Sequence, residues 1–378
     1  MKSALTGLFV LPLMLGLLNC GGDKEKSKTN NTGGSSSGGA TASGGSSSGG
    51  ATGGMNQGRG GSVTTGEAKS NGTGPLPTPP GEGGITQPSG AAENLKVLDW
   101  AGFTGAVSYT FDDTNSSQMA HYAELQALGV HYTFYVVTGK PEINDPVWVQ
   151  ALADGHELGN HTQNHRMVAS GNDIDNASDL IAQKFSAIAW TMAAPYGDAS
   201  YVPFAKERFL LNRGVSNGLI GPNDNSDPFN TYCYVPPMDA PASAFNTQID
   251  GARTAKKWRI VLLHGFTGGT DGAYLPVAFD EFAASVTYAK SLGDMWIDTM
   301  VNIGAYWRGQ KLLSQTQPTT SGGATTWTWT LPAHFPPGRS LRVTVDGGTL
   351  TQNGAPLAWD EHGYYEISLD AGSLTLSP

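Results

Sequence analysis

Two histidines that lie four residues apart, His161 and His165, are the clearest candidates for a chemical role in this sequence. Their rings point the same way if the segment is helical or tightly turned, so both can bind one cation. Upstream, Asp112 and Asp113 come directly after a β-type run at residues 107–111, where open α/β sheets and barrels hold their reactive groups. One carboxylate can complete an Asp-His-His metal site while the other handles a proton. This combination predicts a metal-dependent hydrolase.

Each of these features also has a structural explanation that involves no chemistry. Two acidic residues after a strand can form a turn beside a helix cap. Histidines at this spacing often mark one polar face of a helix. His264, which follows the apolar run at residues 259–263, can be a hydrogen-bonded core residue. The functional interpretation is favoured because these residues follow predicted strands in order along the chain.

The elements that would position these residues alternate between strand and helix patterns. Strands are predicted at residues 107–111, 132–137, 157–159, 190–194, 259–263 and 295–300. Helices are predicted at residues 119–128, 147–153, 179–189, 201–211, 278–292 and 301–307. Repeated β then α units favour an α/β fold with a parallel sheet, closed or nearly closed as a barrel. Four strands then deliver reactive residues at their C-terminal ends.

After residue 310 the pattern changes to period two, which is typical of an antiparallel sheet. Alternating runs occupy residues 327–331, 341–345 and 365–369. Two dipeptides between these runs are tight-turn signals, Asp346-Gly347 and Asn353-Gly354. Residues 311–378 are therefore predicted to form a small β-sandwich-like module. Trp327 and Trp329 share one face, which favours a place in the module core over a sugar-binding platform.

The N-terminal part of the chain is unlike a folded domain. Residues 1–20 read as an export signal that ends in a sequence resembling a bacterial lipobox, with Cys20 as the residue to be lipidated. The alternative is an ordinary cleaved signal whose cysteine is incidental. Residues 21–92 are dominated by Gly, Ser, Thr, Asn and Pro, so they are predicted to form a disordered tether. We therefore expect secretion across the inner membrane and anchoring to the outer membrane or cell surface.

The composition excludes several partners. The formal net charge is −10 with a pI near 5.2, and the chain has no basic run, which argues against nucleic acid. An acidic, lightly charged and aromatic-bearing surface is compatible with neutral or cationic glycans. The two cysteines are Cys20 and Cys233, so no disulfide is expected in the folded part, and Cys233 is interpreted as a small buried hydrophobe.

Taken in order, the motifs of residues 95–309 resemble the polysaccharide deacetylases of carbohydrate esterase family four. The resemblance rests on four segments, Thr110-Phe111-Asp112-Asp113, residues 161–165, Ala193-Ala194-Pro195-Tyr196 and Leu262-Leu263-His264. The end of the domain, from Trp296 to Arg308, is also similar to that of secreted members. The family fold is an irregular (β/α) barrel, which agrees with the alternation of elements.

The resemblance implies a role for each matching residue. Asp113, His161 and His165 would bind a divalent ion, most simply zinc, with cobalt or another divalent ion as alternatives. The resemblance also implies a general base, a backbone N–H donor for the oxyanion and a general acid, which would be Asp112, Tyr196 and His264 respectively. An acetylated polysaccharide would be the substrate.

Three departures from the family pattern concern proton transfer. Ala193 stands where the family usually has an arginine that orients the base, and Gly265 stands where aspartate often follows the catalytic histidine. An aspartate that steadies His264 has no clear counterpart, with Asp239 as the first candidate and Asp298 as the second. We therefore expect the proton-transfer groups to be rearranged or weakened.

These observations predict four regions, a signal at 1–20, a linker at 21–92, a deacetylase barrel at 93–310 and a β module at 311–378. The predicted activity is removal of acetyl groups from an N-acetylated polysaccharide that is chitin-, peptidoglycan- or poly-N-acetylglucosamine-like. One alternative is O-acetyl esterase action on a xylan-like polymer through the same site. Another is a glycan-binding surface lipoprotein with weakened catalysis.

Overall fold

A curled parallel β-sheet forms the centre of the structure, a computed structural model that describes residues 71–378. After the short strand β1 (Lys96–Val97), which belongs to another sheet, the described chain supplies seven parallel strands. They are β2 (Gly105–Asp112), β3 (Thr133–Val136), β4 (Glu157–Asn160), β5 (Thr191–Ala193), β6 (Leu211–Arg213), β7 (Trp258–Leu263) and β8 (Met295–Ile297). Their order is β6-β5-β4-β3-β2-β7, and β8 pairs with the first residues of β2. The predicted α/β fold is confirmed.

Alternation along β2 gives the sheet two different faces. Val107 and Phe111 pack in the core between the sheet and the outer helices. Ser108 and Thr110 are equally buried but point to the opposite side, into the curl of the sheet. Asp112 continues this inner row, so the apolar outer row of β2 directs the carboxylate inward.

An extended segment at residues 231–234 spans the gap between the edge strands β6 and β7. Parallel bridges pair Thr231 with Arg213 of β6 and Tyr234 with Val261 of β7. The sheet is therefore a half-barrel whose opening is filled by this segment, in line with the expected closed or nearly closed barrel.

Eight α-helices accompany the strands within the described residues. They are α1 (Ser116–Ala120), α2 (Tyr122–Ala127), α3 (Val147–Ala153), α4 (Gly171–Phe185), α5 (Tyr201–Lys206), α6 (Ala242–Ala255), α7 (Phe279–Ser291) and α8 (Met300–Gln315). Short 3₁₀ segments lie at Asp99–Gly102, Pro141–Asn144, Pro195–Gly197 and Leu369–Ala371.

Several predicted boundaries were wrong. The helix predicted at 119–128 is two helices that meet at His121, and the helix predicted at 201–211 ends at Lys206, before β6 begins. Helix α6 was not predicted. Helix α8 continues eight residues beyond the predicted end at 307. Two glycines lie inside α8, Gly304 and Gly309, and a Cβ there would lie 2.0 Å from a Leu211 methyl and 2.5 Å from a Leu369 methyl, respectively. Close packing explains glycines that normally disfavour a helix.

The C-terminal residues form two antiparallel sheets, as predicted. Their strands are β9 (Thr319–Ser321), β10 (Ala324–Thr328), β11 (Ser340–Thr344), β12 (Thr349–Gln352), β13 (Ala355–Pro356), β14 (Trp359–Asp360), β15 (Tyr364–Ser368) and β16 (Ser373–Ser377). The sheet orders are β1-β11-β15-β14 and β13-β12-β16-β10-β9. Trp329 is buried and Trp327 packs against the same core, so neither is a fully exposed platform.

The barrel and the β module share one hydrophobic core. Trp258 and Trp307 of the barrel side belong to the same buried cluster as Leu341 and Ile367 of the module. Helix α8 crosses the predicted limit at residue 310, and β1, which precedes the barrel, pairs with β11 of the module. The division at 93–310 and 311–378 stays a prediction.

The predicted tether is wrong for its described part, residues 71–92. The buried Asn71 amide donates to the backbone oxygens of Leu158 (2.9 Å) and Ile188 (2.7 Å), and Leu158 N–H donates back to Asn71 Oδ1 (2.7 Å). Further along, Ile85 N–H donates to Glu361 O (2.8 Å). A polar composition did not predict these bonds because backbone groups elsewhere in the chain supply the partners. The signal at 1–20, Cys20 and the linker up to residue 70 lie outside the described residues.

Two smaller expectations concern the membrane and the cysteines. Among the described helices, none combines the length and the apolar character needed to cross a bilayer. Cys233 is buried and unpaired, as predicted.

A buried carboxylate at the start of β4, Glu157, lies among neutral donors. Its oxygens accept hydrogen bonds from Thr191 Oγ1 (2.6 Å), Thr133 Oγ1 (2.8 Å) and Val301 N–H (2.9 Å). Burial raises the pKa of Glu157 to about 7, although these donors partly oppose the shift. The folded protein therefore keeps a proton on Glu157 that the unfolded chain releases near pH 4.5.

We expect Glu157→Gln to remove a pH dependence of stability. Between about pH 4.5 and 7 the unfolded chain binds fewer protons than the folded protein, so wild-type stability falls as pH rises, by up to about 1.4 kcal/mol per pH unit. Urea unfolding at several pH values measures the free energy of unfolding of both proteins. The difference, variant minus wild type, should rise with pH over this range and become constant above it. The exposed Glu82→Gln is the control, and a constant difference between Glu157→Gln and wild type would contradict the expectation.

Candidate metal centre

The end of β2 separates two adjacent carboxylates. Asp112 is buried in the inner row of the strand, while Asp113 has left the strand and is partly exposed. Asp113 and Thr114 have φ values of 76° and 56°, a left-handed turn that non-glycine residues rarely adopt. Thr114 Oγ1 holds this turn by accepting from Val137 N–H (2.7 Å), and Lys140 Nζ donates to Asp113 O (2.6 Å). The turn gives the neighbouring carboxylates different directions.

His161 and His165 lie in a tight turn after β4 and not in a helix. Thr162 and His165 have φ values of 65° and 49°, and His165 N–H donates to Thr162 Oγ1 (2.9 Å). His161 Nδ1 lies 2.9 Å from Ala193 O, a contact that orients the ring with Nε2 facing Asp113. Of the two geometries that the spacing allowed, the structure has the turn.

Three side chains converge as the sequence predicted. Asp113 Oδ1 lies 3.4 Å from His161 Nε2 and 3.3 Å from His165 Nε2. Two ligand atoms that each lie about 2.05 Å from one tetrahedral ion are about 3.3 Å apart. Among the residues at 71–378, this is the one cluster of His, Cys, Asp or Glu side chains that meets the spacing of a metal site. The donor set therefore fits a divalent ion such as zinc.

The electrostatics of the cluster also suit a cation. Burial would raise the pKa of Asp113, but His161, His264 and His165 outweigh it and hold that pKa far below its usual range. Burial and the neighbouring His161 lower the pKa of His165 to about 4, which keeps this ring neutral, as a metal ligand must be. Burial alone would lower the pKa of His161, but Asp112 and Asp113 outweigh it and raise that pKa, since two nearby carboxylates favour positive charge at this position.

A residue that the sequence did not reveal, Arg213, contacts the second carboxylate. Arg213 lies at the end of β6 and is fully buried, and its Nη2 donates to Asp112 Oδ2. It also lies over the Tyr135 ring at 5.4 Å and donates to Gly214 O (3.0 Å). Asp112 Oδ1 is buried and accepts no hydrogen bond from residues 71–378, so Arg213 holds one oxygen of a residue that borders the cleft and the other oxygen has no partner.

The position of Arg213 explains the alanine at residue 193. Ala193 of β5 is the direct register partner of Arg213 on β6. An arginine is thus supplied from the neighbouring strand in place of the one that the family resemblance located at 193. The sequence contained a signal, because Arg213 follows the apolar pair Leu210-Leu211, but that stretch was interpreted as a helix end.

His264 lies at the end of β7, beside Asp112 and Asp113. Its backbone oxygen accepts from Asn115 Nδ2 (2.8 Å) and Gln118 Nε2 (2.7 Å), and Gln118 also donates to Asp112 O (2.5 Å). These amides fix the end of β7 against the end of β2. His264 and both acidic residues border the same cleft.

Neither candidate partner of His264 is beside its ring. Asp298 lies 3.4 Å from His131 Nδ1, and Asp239 is exposed, with its backbone N–H donating to Pro276 O (3.0 Å). Within the described part of the chain, no carboxylate hydrogen-bonds the His264 ring. Asp298 already contacts other groups, and the exposed Asp239 forms no hydrogen bond with His264 within the described residues, so neither aspartate holds that ring in this structure.

The glycine after His264 has a steric cause. A Cβ at Gly265 would lie 2.4 Å from Ser117 Oγ and 2.9 Å from the Cβ of Ala273. The start of α1 and the loop after β7 approach each other too closely for an aspartate at this position.

Tyr196 lines the cleft on the side of His165. Its φ of 57° follows Pro195, and its ring centroid lies 4.6 Å from that of His165. The ring is 59% exposed. The strained backbone places Tyr196 at the rim beside the three ligand side chains.

These residues form the floor of one cleft of about 940 Å³. Apart from the two aspartates, the histidines and two tyrosines, its lining is apolar, namely Ala194, Val215, Val235, Pro237, Leu262 and Leu275. The cleft thus combines a polar floor that can hold a cation and move a proton with uncharged walls.

The sequence matches the family model described as polysaccharide deacetylase over residues 104–202. A gellan lyase of a Bacillus species is 31% identical over 150 residues, which are 36% of this chain and 6% of that protein. The chain therefore spans only a small part of the length of this relative.

Solved structures overlap with the chain in part. The Xyl-CE4 domain of a multidomain xylanase from the hindgut metagenome of Trinervitermes trinervoides is 18% identical, with a TM-score of 0.38 over 53% of this chain and 89% of that one. A polysaccharide deacetylase from Mycobacterium smegmatis is 16% identical, with a TM-score of 0.42 over 64% and 100%. An acetyl xylan esterase from Clostridium thermocellum, in complex with cobalt, is 19% identical, with a TM-score of 0.35 over 52% and 89%.

The matched region contains Asp112, Asp113, His161 and His165, the residues that meet at the floor of the cleft. The resemblance that the motifs indicated is thus confirmed, since residues 104–202 match the polysaccharide deacetylase family.

Proposed function

We propose that the protein is a metal-dependent hydrolase that removes acetyl groups from N-acetylated polysaccharides of chitin-, peptidoglycan- or poly-N-acetylglucosamine-like type. The observation that carries this proposal is the cluster of Asp113, His161 and His165 beside a separate buried carboxylate, Asp112, in one cleft. Zinc is the simplest ion for one carboxylate and two imidazoles, with cobalt as an alternative. A divalent ion held there supplies a Lewis acid that polarises the acetyl carbonyl and lowers the pKa of water.

In this proposal Asp112 is the general base. Asp113 faces both imidazoles, as a ligand would, whereas Asp112 Oδ1 has no hydrogen-bond partner among the described residues. Asp112 Oδ1 accepts the proton of the attacking water, and Arg213 holds the other oxygen so that the carboxylate keeps one orientation.

Two further residues act on the acetyl group and the leaving group. The backbone N–H of Tyr196 donates to the carbonyl oxygen as negative charge develops on it. His264 gives a proton to the departing amine, since it lies across the cleft floor beside the two aspartates.

One observation favours O-acetyl esters as a second substrate class. Burial lowers the pKa of His264, and no carboxylate hydrogen-bonds its ring to hold a proton there. An alkoxide leaves with less help from an acid than an amine does. Acetate release from acetylxylan, compared with release from chitooligosaccharides, distinguishes the two classes.

The alternative of a catalytically weakened glycan-binding protein was based on Ala193. Arg213 contacts Asp112 from the adjacent strand, so this basis is removed. Anchoring through a lipid on Cys20, secretion and a place on the outer membrane or cell surface remain part of the proposal, supported by the N-terminal sequence.

We expect a chelator to abolish acetate release from N-acetylglucosamine oligomers and added zinc or cobalt to restore it. His165→Ala should weaken metal affinity at least about tenfold, because it removes one of three ligands. Metal content and acetate release measured on the same preparation check this. His131→Ala, which changes a histidine outside the cleft, is the matched control. Full activity in metal-free protein would rule the proposal out.

The two adjacent aspartates should respond differently to the same substitution. Asp112→Asn should keep the metal and lower kcat by roughly 10²–10⁴, the usual contribution of a general base. Asp113→Asn should lose metal affinity instead. If Asp112→Asn loses the metal and Asp113→Asn keeps it, the two roles are exchanged.

Arg213→Lys should lower kcat by about 10² while metal content stays unchanged, since lysine keeps the charge but not the planar fork. Arg213→Ala also leaves a buried carboxylate unpaired and should cost about 3–5 kcal/mol of stability. The double variant Arg213→Ala/Ala193→Arg should have a kcat at least about tenfold higher than that of Arg213→Ala alone. Arg259→Lys, on the opposite side of the barrel opening, is the control. Wild-type kcat in Arg213→Lys would exclude a positioning role.

A further inference from the structure

Tyr274 forms a wall of the cleft that the proposed mechanism does not use. Tyr274 is 63% exposed, which makes it the most exposed large side chain that borders the cleft. Tyr196 follows at 59%. The Tyr274 ring stands perpendicular to the His264 ring, with centroids 5.3 Å apart. An aromatic ring thus stands directly beside the position of the leaving group.

The loop that carries Tyr274, residues 265–277, is fixed to the catalytic floor. Asp271 Oδ2 accepts from Ser117 N–H (2.7 Å), and Ser117 Oγ accepts from Phe266 N–H (3.1 Å). Leu275 has a φ of 46°, which a leucine adopts only when its surroundings enforce it. The helix that Asp271 contacts begins four residues after Asp112, so Tyr274 has a defined position relative to the base.

Among the described residues, no lysine or arginine lines the cleft. The lining residues other than the aspartates and histidines are apolar residues and two tyrosines. A carboxylate on a sugar ring against Tyr274 would therefore find no lysine or arginine in the lining to pair with, because Arg213 already holds Asp112 and the proposed ion is held by Asp113, His161 and His165. The axial C–H groups of a neutral pyranose, by contrast, suit the negative face of an aromatic ring.

We propose that Tyr274 is the binding wall for the sugar ring next to the one that carries the reacting acetyl group, and that it selects chains in which this ring is uncharged. The inference rests on the proposed deacetylase function and makes the cleft a site for at least two sugar rings. Tyr274 is then a specificity-determining residue and takes no part in proton transfer.

Calorimetric titration of the zinc-loaded full chain tests this wall, with Asp112→Asn as the background for every variant because this substitution should keep the metal and slow turnover. The probes are N-acetylglucosamine, its β-1,4-linked tetramer, and a tetramer that alternates N-acetylglucosamine with glucuronic acid. Tyr274→Ala should weaken tetramer binding about tenfold and reduce the preference for tetramer over monomer by the same factor. Tyr274→Phe should keep this preference, and so should Tyr232→Ala, which removes an exposed tyrosine outside the cleft.

The outcomes separate this wall from the activity itself. An unchanged tetramer-to-monomer preference on adding Tyr274→Ala, or equal binding of the charged and neutral tetramers to the Asp112→Asn protein with Tyr274 intact, would overturn the inference. If wild type releases acetate but Tyr274→Ala leaves the tetramer-to-monomer preference unchanged, the deacetylase proposal stands and the binding role of Tyr274 is rejected. If the preference depends on Tyr274 but no substrate releases acetate, sugar binding by Tyr274 is supported and the deacetylase proposal is rejected.

Discussion

The buried contact between Arg213 and Asp112 constrains the architecture around the cleft. Arg213 ends β6 and Asp112 ends β2, and these strands are four places apart in the sheet order. A flat sheet would hold them about 19 Å apart, so the contact requires the sheet to curl. Both groups are almost fully enclosed, and a buried charge without its partner is costly. The same curl brings the ends of β4, β5 and β7 to one cleft.

Backbone strain is concentrated at this end of the barrel. Asp113, Thr114, Thr162, His165 and Tyr196 all have left-handed φ values, and each of them belongs to the Asp113–His161–His165 cluster, lies in a turn that positions it or borders it. Such residues cost on the order of 1–3 kcal/mol each and persist where surrounding contacts over-determine them. The contacts here are hydrogen bonds that the Thr114 and Thr162 hydroxyls accept from the backbone N–H groups of Val137 and His165, respectively. The barrel and the module that shares its core provide the rigidity that holds this strain in place.

Features with a local cause could be predicted from the sequence. The β-type run at residues 107–111 predicted β2 and placed the two aspartates at its end, and the spacing of His161 and His165 predicted a shared cation site. Features caused by distant packing could not. The contact of Arg213 with Asp112 depends on the curl of the sheet, and Asn71 is ordered because its amide finds backbone partners in β4. Neither partner is visible in the surrounding sequence.

The central claim is that Asp113, His161 and His165 bind one ion while Asp112 stays free of it. Anomalous diffraction from a crystal grown with zinc measures this most directly. The account predicts one strong peak about 2.0–2.3 Å from Asp113 Oδ1 and from both histidine Nε2 atoms, with Asp112 still on Arg213. A peak coordinated by Asp112, or zinc bound only elsewhere while Asp113 turns away from the imidazoles, would contradict it.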